Sequence, residues 1–81
     1  MSQKQKLSLV SMRNGQTGTV VSITGGSGTY ARLEALGIRM GARITKKSAL
    51  LGHGPIIVVV GNAEIAVGYK MASRIMVEVE V

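Results

Sequence analysis

Hydrophobic and polar residues alternate most regularly in residues 75–81. Every odd position there carries an aliphatic side chain, whereas the even positions carry methionine or glutamate. A period of two places all the aliphatic side chains on one side of an extended chain. This segment is therefore predicted to be a β-strand with one buried face and one face toward water.

Four further strands are predicted from segments rich in β-branched residues, which favour extended backbone. They are residues 17–24, 42–48, 56–60 and 63–67. Asn14-Gly15 precedes the first and favours a turn, and Gly61-Asn62 joins the last two as a two-residue hairpin turn. A further turn is expected in the segment GYKMAS.

One short helix interrupts these strands. Thr29 is expected to cap it, and the helix is expected to run to Leu36. Ala31, Leu33 and Leu36 recur at helical spacing and would form its buried stripe. Gly37 follows at the position where a left-handed residue commonly ends a helix.

About five short antiparallel strands and one helix predict a mostly β protein, a small barrel, because closing a short sheet hides its edges. The helix would cover one end of the barrel with Leu33 and Leu36. Residues 1–6 are expected to form a flexible basic tail, and residues 7–81 a single barrel domain.

The segment 56–60 is apolar at every position, although a barrel strand buries only alternate side chains. One set must face outward, and either the N-terminal LSLV segment or a partner protein would cover it. We predict that Ile57 and Val59 face outward. Together with Leu50 and Leu51 of the preceding loop, they form the predicted partner-binding surface.

Lys46 breaks the pattern of its strand. The alternation that buries Ile44 also directs Lys46 inward. Because a buried ammonium is costly, this end of the strand is expected to bend, or the lysine to extend to the barrel rim.

The composition limits the kinds of catalytic and metal site that the chain can form. The chain carries 10 Lys and Arg against 4 acidic residues, a net charge of +6, with no cysteine and a single histidine, His53. A single histidine, with no aspartate and no cysteine, cannot supply a catalytic triad or a multi-histidine metal centre. His53 itself is expected to be an exposed loop residue. We predict no catalytic, cofactor or metal site, and therefore no enzyme. Without disulfides, a secretory segment or a membrane span, the chain is expected to be cytoplasmic, with no membrane insertion.

Four segments resemble the FeoA family, the ferrous iron transport protein A domain. They are LSLVSMRNGQTGTVVSI, RLEALGIRMGARI, GPIIVVVGNAEIAVG and ASRIMVEV. The resemblance implies an SH3-like barrel that acts as an accessory protein to a FeoB-type ferrous iron transporter, a membrane protein with a cytoplasmic G domain. The transporter would recruit the accessory protein to the inner face of the membrane. The same domain occurs as an interaction module at the end of metal-dependent repressors. Gly68 departs from the family, whose members commonly carry arginine there.

Three functions remain open from the sequence. The first is an adapter that binds the cytoplasmic region of the transporter. The second is a nucleic-acid-binding barrel, which the positive charge favours but the scarcity of aromatic residues opposes, so that no sequence-specific nucleic acid is expected. The third is an iron carrier, which the small number of metal-ligating residues opposes. A second copy of the chain is a further candidate partner.

Overall fold

The computed structural model of the chain describes residues 3–49 and 52–80. Its strands are β1 (Lys4–Ser8), β2 (Thr17–Ile23), β3 (Arg43–Ala49), β4 (Ile56–Val60), β5 (Ala63–Val67) and β6 (Ile75–Glu80). A 3-10 turn, Leu9–Ser11, follows β1. The helices are α1 (Ser27–Ala35) and the single turn α2 (Tyr69–Ala72).

The strands form one six-stranded antiparallel sheet in the order β1-β6-β2-β3-β4-β5. The predicted mostly β architecture is confirmed, with six strands rather than five. The additional strand, β1, includes Lys4 and Lys6, which fall in the segment expected to be a loose tail. Its residues pair with β6 from Lys4 opposite Glu80 to Ser8 opposite Met76, so backbone hydrogen bonds order a polar segment that has no hydrophobic pattern.

The core lies on one face of this sheet. Ile75, Val77 and Val79 of β6 are buried, as the alternation predicts, whereas Val81 lies outside the described residues. Leu9 of the 3-10 turn joins the same core and is fully buried. Bulges interrupt β2 between Val20 and Ser22 and β3 between Lys46 and Ser48, and such bulges bend a sheet around its core.

The end of α1 shows why this helix stops where it does. Gly37 has a φ of +87°, which confirms the predicted left-handed position. The backbone N–H of Gly37 donates to the Glu34 oxygen at 2.9 Å, and the N–H of Ile38 donates to the Leu33 oxygen at 2.9 Å. These two bonds define a Schellman motif, in which the residue after the glycine packs against the last turn. Leu33 and Ile38 are accordingly both fully buried.

Two predictions about α1 are wrong. Its N-cap is Gly26 rather than Thr29, so the helix begins three residues earlier than expected and Thr29 lies inside it. Leu36, predicted to cover the core, is 41% exposed, and Ala31 is exposed too. The Schellman motif explains the exposure of Leu36, because the reversal at Gly37 directs Ile38 into the core in its place.

Replacing Gly37 with valine should destabilise the domain. The left-handed conformation costs a residue with a Cβ about 1–2 kcal/mol, and the nearest neighbour of the new Cβ would be Val60 Cγ1, at an ordinary 3.8 Å. The loss therefore comes from the backbone, and we expect a melting temperature lower by about 5–10 °C. Gly68→Val is the matched control, since Gly68 has a φ of −58° and open space around it. Equal melting of Gly37→Val and wild type would contradict the role of this cap.

Lys46 is buried, as its strand pattern predicts, and is only 5% exposed. The strand bulges directly after it. Its ammonium group donates to the backbone oxygens of Val10 at 2.8 Å and Met12 at 2.6 Å. Burial lowers the pKa of the Lys46 ammonium. The side chain thus fixes the segment around the 3-10 turn to β3, and it does not reach the barrel rim.

Candidate partner-binding site

The predicted partner-binding residues are only partly described. Leu50 and Leu51 lie outside the described residues. Ile57 and Val59 alternate with the buried Ile56 and Val58, so they lie on the outer face of β4, and both are half-buried. We refer to Ile57 and Val59 as the outer face of β4.

Polar and small residues flank this outer face. Val59 lies between Thr45 of β3 and Glu64 of β5, and Ile57 lies opposite Ala66 of β5. The N-terminal segment that could have covered these side chains pairs instead with β6, and in the order of the sheet β1 lies four strands from β4. The alternative of a partner protein therefore remains a prediction for this face.

A second surface, which the sequence did not predict, is a groove of about 790 Å³ between the end of α1 and α2. We call it the α1–α2 groove. Its apolar lining comes from Leu36, Met71 and the end of β5, Ala66 and Val67. The volume falls within the range of about 300–1,000 Å³ that is usual for ligand-binding sites.

Two aromatic rings line the same groove. His53, from the loop before β4, stacks on Tyr69, the first residue of α2, with ring centroids 4.3 Å apart and an interplanar angle of 24°. His53 is exposed in its loop, as predicted, and its ring has this one aromatic neighbour. The stack joins the loop to α2 and forms one wall of the groove.

The remaining lining residues of the groove are mostly basic: Arg32 of α1, Lys70 of α2 and Arg74, which follows α2. None of the lining residues that the structure describes is acidic, and in the described ranges these three side chains form no ion pair. Arg74 donates to the Thr29 hydroxyl at 3.4 Å, a long bond that leaves most of its guanidinium free. The lining of the groove therefore combines apolar side chains with three positive charges.

Gly68 keeps the groove open at the start of α2. Its backbone, at φ −58° and ψ 150°, is accessible to any residue, and no atom lies within 4 Å of the position that a Cβ would occupy. The glycine is thus not required by the fold. The arginine that the resemblance to the FeoA family leads us to expect at this position would add a side chain to this surface.

The outer face of β4 and the α1–α2 groove are continuous. Ala66 is the direct cross-strand neighbour of Ile57, and paired residues present their side chains on the same face of a sheet. Ala66 also lines the groove and is exposed. Ile57, Ala66 and Leu36 therefore mark one apolar path from the sheet to the helices.

The other described surfaces provide weaker evidence for a binding site. A polar hollow of about 280 Å³ over β2 and β6 is lined by both lysine and glutamate, including Lys4 and Glu78, whose charged groups are 3.8 Å apart. Within residues 3–49 and 52–80, no three side chains of His, Cys, Asp or Glu cluster as a metal site. Neither helix in those ranges has the length and apolar character needed to cross a membrane.

The six-stranded antiparallel sheet is open at β1 and β5, so the predicted closure of the barrel is not seen, but the barrel-like fold is of the SH3-like class. Known structures agree. FeoA from Stenotrophomonas maltophilia, a prokaryotic SH3 domain protein solved in complex with zinc, has a TM-score of 0.71 to this chain. It is 22% identical, covers 95% of this chain and is itself covered over 88% of its length, so it shows the fold.

The FeoA domain model matches residues 7–79, and the chain belongs to the FeoA family. The crystal structure of an iron uptake regulatory protein, FeoA, is 34% identical over 95% of this chain and 100% of its own, with a TM-score of 0.86. A manganese-dependent transcriptional repressor is 25% identical with a TM-score of 0.85, over 98% of this chain but 44% of the repressor. No curated protein matches the chain significantly.

Proposed function

We propose that this protein is an accessory factor of ferrous iron transport, which binds the cytoplasmic region of a FeoB-type transporter and modulates it. The observation that carries the proposal is the match of the chain to a FeoA protein over 100% of that protein's length at 34% identity. Within the described residues no three side chains of His, Cys, Asp or Glu cluster, which favours action on a partner protein over binding of the ion itself.

The surface that we assign to this partner begins at the outer face of β4. Ile57 and Val59 are aliphatic, half-buried and outside the core cluster. Apolar area left in water costs about 25 cal/mol per Å², so contact with a partner would stabilise the complex. Leu50 and Leu51 extend the proposed surface along the chain, and the net charge of +6 would orient the approach to an acidic partner.

Co-purification with a FeoB-type transporter tests the proposal. The double substitution Ile57→Thr with Val59→Thr keeps β-branched side chains, so we expect the domain to stay folded and lose at most about 1 kcal/mol, or 4–8 °C in melting temperature. Association with the transporter should fall at least about tenfold, as expected when an apolar contact is lost from the centre of an interface.

The matched control is Val21→Thr, which changes another half-buried valine outside the core cluster but on β2. It should bind the transporter like wild type. If the folded double variant binds as well as wild type, the surface assignment is wrong. If wild type itself never associates with the transporter, the accessory function is wrong.

A further inference from the structure

We propose that the α1–α2 groove binds an acidic aliphatic segment of a partner protein, that is, a short stretch of chain with leucine-like side chains next to carboxylates. The chemistry of the segment is inferred from the groove alone. Only the assignment of that segment to the transporter's cytoplasmic region rests on the proposed function.

The apolar part of the segment is indicated by Leu36. This side chain is 41% exposed at the edge of a concave surface that already contains Val67 and Met71. A branched aliphatic side chain entering the groove would remove apolar area from water on both molecules. Ala66 adds no bulk at the end of β5, so the groove is open toward the sheet as well as between the helices.

The acidic part of the segment is indicated by three cations that line the groove. Arg32, Lys70 and Arg74 all line the groove, and no acidic residue among its described lining neutralises them. Elsewhere the chain does pair its charges, for example Lys47 with Glu64 at 2.8 Å. Unneutralised cations beside an apolar surface attract carboxylates, and the guanidinium groups of Arg32 and Arg74 can each hold a carboxylate through two parallel bonds.

The shape favours a peptide over a membrane surface. Leu36, the stacked rings of His53 and Tyr69, and α2 line an open concave surface, which individual side chains can enter, whereas a planar lipid surface would contact only its exposed residues. Among the described residues, Met40 is the most exposed large apolar residue, at 49%, and it lies outside the groove in the turn before β3. A lipid surface would engage Met40 and Leu36 together, whereas a peptide in the groove would engage Leu36 but not Met40.

Two synthetic peptides test the proposal with the full chain, labelled with ¹⁵N and followed by NMR. One carries leucines at helical spacing with glutamates between them, and the other has lysine in place of every glutamate. We expect the acidic peptide to shift the backbone signals of Leu36, Tyr69 and Met71 in a saturable manner. The basic peptide should bind at least about tenfold more weakly, because the cations that line the groove repel it.

Paired variants separate the two parts of the site. Leu36→Ser should weaken binding of the acidic peptide about tenfold, whereas Met40→Ser, an equal change outside the groove, should not. Lys70→Glu should weaken binding of the acidic peptide severalfold. Arg39→Glu changes the net charge by the same amount but lies outside the groove, so it should retain most of the affinity. All four positions are exposed, so these variants are expected to fold.

Equal affinity for both peptides, shifts confined to residues outside the groove, or equal losses in each variant and its control would overturn the proposal. So would binding to phosphatidylglycerol vesicles that depends on Leu36 and Met40 alike, with no response to the acidic peptide. These outcomes are independent of the transporter. A groove that selects the acidic peptide in a chain that never associates with the transporter would uphold this inference and refute the proposed function.

Discussion

Gly18→Ala is expected to be the most damaging single-methyl substitution in the protein. A Cβ at position 18 would lie 2.5 Å from the backbone oxygen of Glu78 and 2.5 Å from Val77 Cγ1, both in the neighbouring strand β6. Backbone cannot move aside without opening the sheet, so the cost should reach about 2–3 kcal/mol, near the upper end for overpacking. A core of this size supplies only about 3–5 kcal/mol in total.

Thermal unfolding followed by circular dichroism measures this loss, and we expect a melting temperature lower by about 10–20 °C. Gly28→Ala is the matched control. Gly28 lies in α1 with no atom within 4 Å of its Cβ position, so alanine should stabilise the helix by up to about 0.5–1 kcal/mol. The same Gly→Ala change is therefore expected to lower stability at position 18 and raise it at position 28. A Gly18→Ala domain as stable as wild type would contradict the close approach of β2 and β6.

Lys46→Met should have the second-largest effect. Methionine has a similar length and no donor, so the backbone oxygens of Val10 and Met12 would lose the ammonium that they share. Leaving a buried acceptor unpaired costs about 1–3 kcal/mol, and we expect a total loss of about 2–3 kcal/mol at neutral pH. Lys47→Met is the control, since Lys47 is exposed and its pair with Glu64 contributes at most about 1 kcal/mol.

The pH dependence of Lys46→Met identifies the ammonium as the cause. Burial lowers the pKa of Lys46 below its ordinary 10.5, so between the two pKa values the unfolded chain binds more protons than the folded one. The contribution of Lys46 to the stability of the fold therefore rises with pH up to about 10.5. The neutral amine keeps two N–H groups, so it can still donate to both backbone oxygens. The difference in free energy of unfolding between wild type and Lys46→Met should widen over that interval in urea titrations. A constant or shrinking difference would contradict the burial of a charged lysine.

Much of the sheet could be predicted because its strands and turns are encoded by residues that are close together in the sequence. The strands Ile56–Val60 and Ala63–Val67, with the tight turn at Gly61, agree residue for residue with the prediction, and the alternation in β6 identified its buried face. β1 could not be predicted, since its residues KQKLS carry no pattern of their own and become a strand only through pairing with β6. The single turn α2 was expected as a turn, because four residues are too few for a helical period.

The candidate site was harder to predict because it depends on tertiary structure. The α1–α2 groove joins Leu36 to Tyr69 and Met71, more than thirty positions apart, and no local pattern relates them. One signal was nevertheless available. Leu33, Gly37 and Ile38 have the spacing of a Schellman motif, in which the residue after the glycine packs on the helix, so Leu36 could have been assigned to the outside.

The position of β6 between β1 and β2 sets the order in which the chain can acquire its structure. Strands β2 to β5 are neighbours in the sheet in the same order as in the chain, so each can pair as soon as it has been synthesised. β1 has β6 as its one partner among the described strands and must wait for a segment about seventy residues later. The pairings of β6 with β1 and β2 are therefore the most distant in sequence among the described strands, and such pairings are expected to slow folding. The absence of a side chain at Gly18 lets β6 lie closely against the β2 edge of the meander.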